Sequence, residues 1–170
     1  MSGFDLPFVE NAEYLHSVLL PVLFRCGVAA VCGGLIGLER EFKGKPAGLR
    51  TNILICVGAA IYMVIGMVIV HAGGERTSDV ARIGAQVVTG IGFLGAGCIL
   101  RRGEHVTGLT SAATIWVVAA IGIVAGAGFA ITALFAAVMV LLTLVALGWV
   151  EVRVLDPLHE RRGHPPHSRS

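Results

Sequence analysis

The densest set of chemically capable side chains is the stretch EREFKGKPAGLRTN, which places Glu39, Arg40 and Glu41 a few residues before Lys43, Lys45, Arg50, Thr51 and Asn52. Pro46 suits the first turn of a helix, where its missing N–H costs nothing. A helix starting there would present free amides beside Arg50, Thr51 and Asn52, an arrangement that favours an anion or a carboxylate. Two readings of the set follow. Glu39 and Glu41 can serve as internal partners, making an ion-pair lock between two helices. They can instead hold a hydrated cation such as Mg2+, which takes one or two carboxylates and keeps its waters.

Other polar groups lie inside apolar surroundings. Arg25 is followed at steps of four by Ala29, Gly33, Gly37 and Glu41, so on a helix the arginine shares a face with the small residues. It then points into a bundle, as a site residue or as a structural donor to a backbone carbonyl. Arg82 and Gln86 are one helical turn apart, with Asp79 at i−3 from the arginine. Arg82 either serves a site or snorkels to an interface. Thr110, Ser111 and Thr114 open a later apolar run and can bond back to their own helix. Charged and polar groups within a bilayer are functional candidates by default.

The glycines of GIGFLGAG, Gly90 to Gly97, contain the G-x-G-x-x-G spacing of a dinucleotide site. That fingerprint requires a strand before it, a helix after it and an acid about 20 residues on. LTSAATIW occupies that later position, without an acid. Gly90, Gly92, Gly95 and Gly97 read better as helix-packing positions, like Gly33 and Gly37, because close backbone contact drives association in lipid. Ala85, Thr89, Gly92 and Ala96 form a second small-residue face.

The elements that position these groups follow from composition. The chain has 170 residues, 55% hydrophobic and only 14% charged, against about 25% charged in an ordinary soluble domain. Mean hydropathy is +0.82. A crossing helix needs roughly 20 apolar residues, and five runs approach this: Ser17–Leu38, Thr51–Val70, Val80–Leu100, Leu109–Val124 and Phe129–Val150. AGAG, Ala125–Gly128, reads as a tight turn between the last two. The fold class expected is all-α, a polytopic transmembrane bundle of five helices.

A repeat is visible within it. Arg25, Gly27, Val31 and Gly33 recur as Arg82, Gly84, Val88 and Gly90, and GLRT at Gly48 returns as GLTS at Gly108. This suggests two parallel helical hairpins plus a fifth helix, a plan used by transport proteins.

Lys and Arg set orientation. They collect after the first run (Arg40, Lys43, Lys45, Arg50), after the third (Arg101, Arg102) and in the tail (Arg153, Arg161, Arg162, Arg169), whereas Arg76 and Arg82 are balanced by Glu75 and Asp79. Residues 1–16 then form an extracytoplasmic segment, 17–150 the membrane domain and 151–170 a basic cytoplasmic tail. The N-terminal stretch lacks the Lys or Arg of a signal peptide. Cys26, Cys32, Cys56 and Cys98 sit in apolar runs without a zinc or disulfide spacing. No catalytic triad is legible, so neither enzyme activity nor a cofactor is expected, and no nucleic acid partner.

Two long blocks, GGLIGLEREFKGKPAGLRTN and ARIGAQVVTGIGFLGAGCILRRGEHVTGLTSAATIWVVAAIGIVAG, resemble the signature segments of the MgtC/SapB family. The resemblance spans Val28 to Gly126. It implies a bacterial inner-membrane protein linked to growth in low magnesium and to survival inside macrophages. Such proteins act as non-enzymatic regulators through partners that include the F-type ATP synthase. Many members add a soluble cytoplasmic domain, and this sequence, ending at Ser170, reads as a short member without it. The resemblance carries over Glu39, Arg40, Arg50, Thr51, Arg82, Gln86, Thr110 and Thr114 as positions of importance. A small transporter or channel for an ion or polar solute is the competing class. The glycine-rich faces point to a homodimer in the lipid bilayer.

Overall fold

The computed structural model describes residues 19–73, 78–102, 105–150 and Arg153. The expected segment 1–16, and the tail apart from Arg153, lie outside these residues. Five helices follow one another: α1 (Leu20–Phe42), α2 (Leu49–Gly73), α3 (Ser78–Gly97), α4 (Leu109–Gly126) and α5 (Ala130–Val150). A short antiparallel pair, β1 (Leu100–Arg102) and β2 (His105–Thr107), joins α3 to α4, with Arg101 opposite Val106.

The chain is an all-α membrane bundle. Among the described residues, α1, α2 over Leu49–Val70, α4 and α5 are long and apolar enough to cross a membrane. The helix carrying Asp79, Arg82 and Gln86, α3, is not among those four. It nevertheless runs the depth of the bundle. Its early residue Ile83 meets Gly66 late in α2, and its late residue Gly95 meets Ala112 early in α4. The outer surface is rich in exposed Leu, Ile and Phe, including Phe24, Leu54, Phe93 and Ile131. Such a surface suits hydrocarbon and not water.

The middle of the bundle is the parallel contact of α2 with α4, flanked by α1 and α3, with α5 laid against α1 and α4. Its core is built from small and branched side chains: Ala29, Cys32 and Ile36 of α1, Cys56 and Ala60 of α2, Ile115 and Val118 of α4, Ala133 and Ala137 of α5. Without a hydrophobic drive in lipid, close approach supplies the attraction. Glycine permits it at four places. A Cβ on Gly33 would stand 2.6 Å from the Asn52 carbonyl oxygen, and one on Gly37 2.8 Å from Leu49 Cα. On α4, a Cβ on Gly122 would run into the Cys56 carbonyl oxygen, and one on Gly126 would stand 2.5 Å from that of Ala60.

The glycines of α3 differ from this expectation. Of Gly90, Gly92, Gly95 and Gly97, only Gly95 touches a neighbouring helix, at 3.5 Å from its Cβ position to the Ala112 carbonyl oxygen. Gly90, Gly92 and Gly97 face open space within this chain. Ala85, Thr89, Gly92 and Ala96 are all exposed. Periodicity put them on one face, as the sequence suggested, but the helix turns that face outward.

Two helix ends close in the same way. Gly44 has φ 62°, with Gly44 N–H donating to the Glu41 carbonyl at 3.0 Å and Lys45 N–H to that of Arg40 at 3.0 Å. Gly128 has φ 95°, with Gly128 N–H donating to Ala125 at 3.0 Å and Phe129 N–H to Val124 at 3.2 Å. Each is a Schellman ending, which satisfies the last carbonyls through a left-handed glycine. The turn read from AGAG is therefore present.

Candidate functional site

At the end of the bundle where α1 stops and α2 starts, the carboxylate of Glu39 is held by cations of its own helix. Arg40 grips it with two prongs, Nε to Oε2 at 2.5 Å and Nη2 to Oε1 at 2.9 Å. Lys43, one turn further on, reaches Oε1 at 2.6 Å, the favourable Glu-to-Lys i,i+4 order. Both Glu39 oxygens are therefore engaged, and the Arg40 side chain is almost wholly buried, at 4% exposure. A carboxylate neutralised twice over is a poor ligand for Mg2+, which competes for the same oxygens.

Glu41 does different work. Its Oε2 accepts the backbone N–H of Leu49 at 2.9 Å, so an acidic side chain caps the amide end of α2. The anion favoured by that helix end is thus supplied internally. A Cβ on Gly48 would meet this carboxylate, so a side chain there would have to displace Glu41 from the cap. The capping also corrects the expected helix start: α2 begins at Leu49, and Pro46 belongs to the connection before it.

Asn52 completes the junction. It is fully buried, and its Nδ2 donates to the carbonyls of Ala47 and Gly48 at 2.8 Å each. Its Oδ1 is buried without a hydrogen-bond partner among the described residues. Arg50 and Thr51, by contrast, are exposed on the rim. No ion pair or hydrogen bond joins Arg50 to Glu39 or Glu41 among the described residues. Glu39, Arg40, Glu41 and Asn52 are brought together, then, while Arg50 and Thr51 look outward. The link between α1 and α2 is the Glu41 cap in place of the envisaged Glu39–Arg50 pair.

Thr114 is buried, and its hydroxyl donates to the carbonyl of Thr110 at 2.8 Å, the back-bonding anticipated for this helix start. Thr110 itself is exposed and Ser111 buried. Just before them, Gly108 has φ 85°, and a Cβ there would strike the Cys98 carbonyl oxygen.

Lys43 is the participant that residue-by-residue reading left out of the candidate set. Besides Glu39, its Nζ donates to the Leu144 carbonyl of α5 at 3.4 Å. Gly148 leaves room for it, since a Cβ there would lie 2.8 Å from Nζ. The four-residue spacing from Glu39 was the available signal; the reach to α5 had none.

Arg25 stands at the opposite end. Its Nη1 donates to the carbonyl of Gly126, the last residue of α4, at 3.0 Å and lies 3.8 Å from Met67 Sδ. The carbonyl end of a helix attracts a cation, so this is the structural reading of Arg25.

Arg82 and Gln86 lie apart from both clusters. Both are exposed and line a groove between α2 and α3 of about 990 Å³. Arg82 has an interaction within the chain. Asp79 is in the first turn of α3, and its side chain lies outside the described set.

The family model named MgtC matches residues 26–153. YhiD of Escherichia coli (strain K12) is 44% identical over 137 residues, covering 79% of this chain and 64% of its own length. Protein MgtC of Brucella abortus (strain 2308) is 44% identical over 135 residues, 79% of this chain and 54% of its own. An uncharacterised protein of Haemophilus influenzae is 39% identical over 166 residues, 92% of this chain and 66% of its own. The chain thus spans less than two thirds of the first two relatives. No solved structure matches. From the family match over most of its helices and the identity to these relatives, the chain belongs to the MgtC family.

Proposed function

We propose that this protein is a non-enzymatic protein of the bacterial inner membrane, with its N-terminus outside and its C-terminus in the cytoplasm. In this reading it supports growth at low magnesium by binding another membrane complex. The observation that carries it is the engagement of both Glu39 oxygens by Arg40 and Lys43, with Glu41 Oε2 committed to the Leu49 amide. Such a junction is a rigid, internally neutralised cap, and it leaves Arg50 and Thr51 on the rim for a partner. The magnesium link comes from the relatives, one of which is named as a candidate magnesium transporter. Family resemblance makes the F-type ATP synthase the first partner to test and extends the role to survival inside macrophages. The outward small-residue face of α3 offers a surface for a homodimer.

The transporter reading draws on that same printed name. Against it, α2 and α4 meet nearly backbone to backbone at Gly122 and Gly126, which fills the centre of the bundle. Two measurements separate the readings. Arg50→Glu should leave a folded protein that no longer supports growth in low magnesium and no longer co-purifies with the partner. Proteoliposomes of the wild type should pass Mg2+ no faster than empty vesicles; a flux above that background would replace the binding reading with transport.

A further inference from the structure

The groove between α2 and α3 carries a gradient of polarity along its length. Arg82 lies four residues into α3, about 6 Å from the helix start. Gln86 follows one turn deeper, and below it the walls are apolar, with Ile91 and Leu94 on α3 and Leu54 and Tyr62 on α2. Cation, neutral amide, hydrocarbon: the order matches a phospholipid read from phosphate through ester to acyl chain, and the ester lies below the phosphate by roughly one helical turn.

The lengths agree as well. Arg82 to Leu94 is twelve residues, about 18 Å of helix, slightly more than half of a hydrocarbon core of about 30 Å. The groove therefore accepts one leaflet's chain. Its volume, about 990 Å³, is at the upper end of pockets that take small ligands, roughly 300–1,000 Å³.

We propose that this groove is a seat for an anionic phospholipid, with phosphate on Arg82, ester on Gln86 and an acyl chain along the α2–α3 wall. A guanidinium has five donors in a fork suited to phosphate, so Arg82 can keep its interaction within the chain and bind a headgroup too. The choice of a lipid rests on the polar end, where Arg82 and Gln86 stand at the depth of a headgroup; the rest of the lining mixes the small Gly58, Ala59 and Gly90 with the larger Leu54, Tyr62, Ile91 and Leu94.

The test places a reporter in the groove. Tyr62→Trp, in a background with Trp116→Phe and Trp149→Phe, is reconstituted with acyl-brominated phosphatidylglycerol or phosphatidylcholine. Quenching should be stronger with phosphatidylglycerol, and Arg82→Gln should reduce that preference roughly tenfold. Equal quenching by the two lipids in the parent overturns the proposal. So does an absence of quenching together with disulfide cross-linking of Leu54→Cys between copies, which would assign the groove to protein. Should the reporter variant fail to fold, wild-type protein in detergent serves through native mass spectrometry. Phosphatidylglycerol should be retained over phosphatidylcholine, and Arg82→Gln should lose that selectivity. Inorganic phosphate should not displace the lipid. Displacement by phosphate alone, or equal retention of the two lipids, overturns it.

Discussion

Arg25 of α1 closes the end of α4: its Nη1 lies 3.0 Å from the carbonyl oxygen of Gly126, the last residue of that helix. A half-buried cation in the first third of one helix thus satisfies the terminus of another, 101 residues away.

Removing that donor should be costly. Hydrogen bonds involving a charged group contribute about 1.5–3 kcal/mol, so Arg25→Leu should lower stability by about that amount. Lysine at the same position should recover part of it. Thermal unfolding in detergent measures both, and an unchanged midpoint in Arg25→Leu would remove the capping role.

The glycine contacts predict opposite outcomes at two sites. Gly33→Ala forces a methyl into the space 2.6 Å from the Asn52 carbonyl oxygen, whereas Gly92→Ala meets nothing within 4 Å. Overpacking costs about 1–3 kcal/mol, so the first variant should be destabilised and the second should match the parent. Equal midpoints for the two variants would show that α1 and α2 are not pressed together there.

At the α1–α2 junction, Glu41→Ala should cost about 0.5–2 kcal/mol through loss of the cap on α2. Glu39 and Arg50, being unpaired with each other, should show a coupling below about 0.5 kcal/mol in a double-mutant cycle. A charge swap that restored the stability lost in each single variant would contradict this geometry.

Orientation is open to direct labelling. In a background free of the native cysteines, Phe129→Cys, at the turn between α4 and α5, should react with an impermeant maleimide added outside intact cells. Pro46→Cys, at the opposite end, should be protected until the cells are opened. The reverse pattern would invert the proposed topology.

These comparisons also show where sequence runs out. The apolar runs located all five helices because each run is long and bounded by turn residues, and AGAG marked its turn through a glycine that only a left-handed position required. The first apolar run ends at Leu38, yet α1 continues to Phe42. Glu39 neutralised by Arg40 and Lys43 lets the helix pass beyond its apolar stretch. Three-residue strands such as Leu100–Arg102 are too short to show a period. Glu41 bonding to Leu49, Lys43 reaching Leu144 and the outward turn of Gly92 all depend on how helices are placed in space. A list of spacings contains the residues involved but not the rotation of α3 that decides what they face.

That rotation has a consequence for how the chain comes apart. Among the described residues, none of the apolar side chains that are fully buried belongs to α3; they come from the other four helices and the loop before α2. Regions with little buried apolar contact open at lower free energy than the rest of a fold. Under a pulling force, or in rising denaturant, α3 with its β-hairpin should therefore leave first as a cooperative unit, while α1, α2, α4 and α5 persist as a partly folded intermediate. Amide exchange along Ile83–Gly95 should run ahead of exchange in α2 and α4, marking a seam along which the protein is assembled last and lost first.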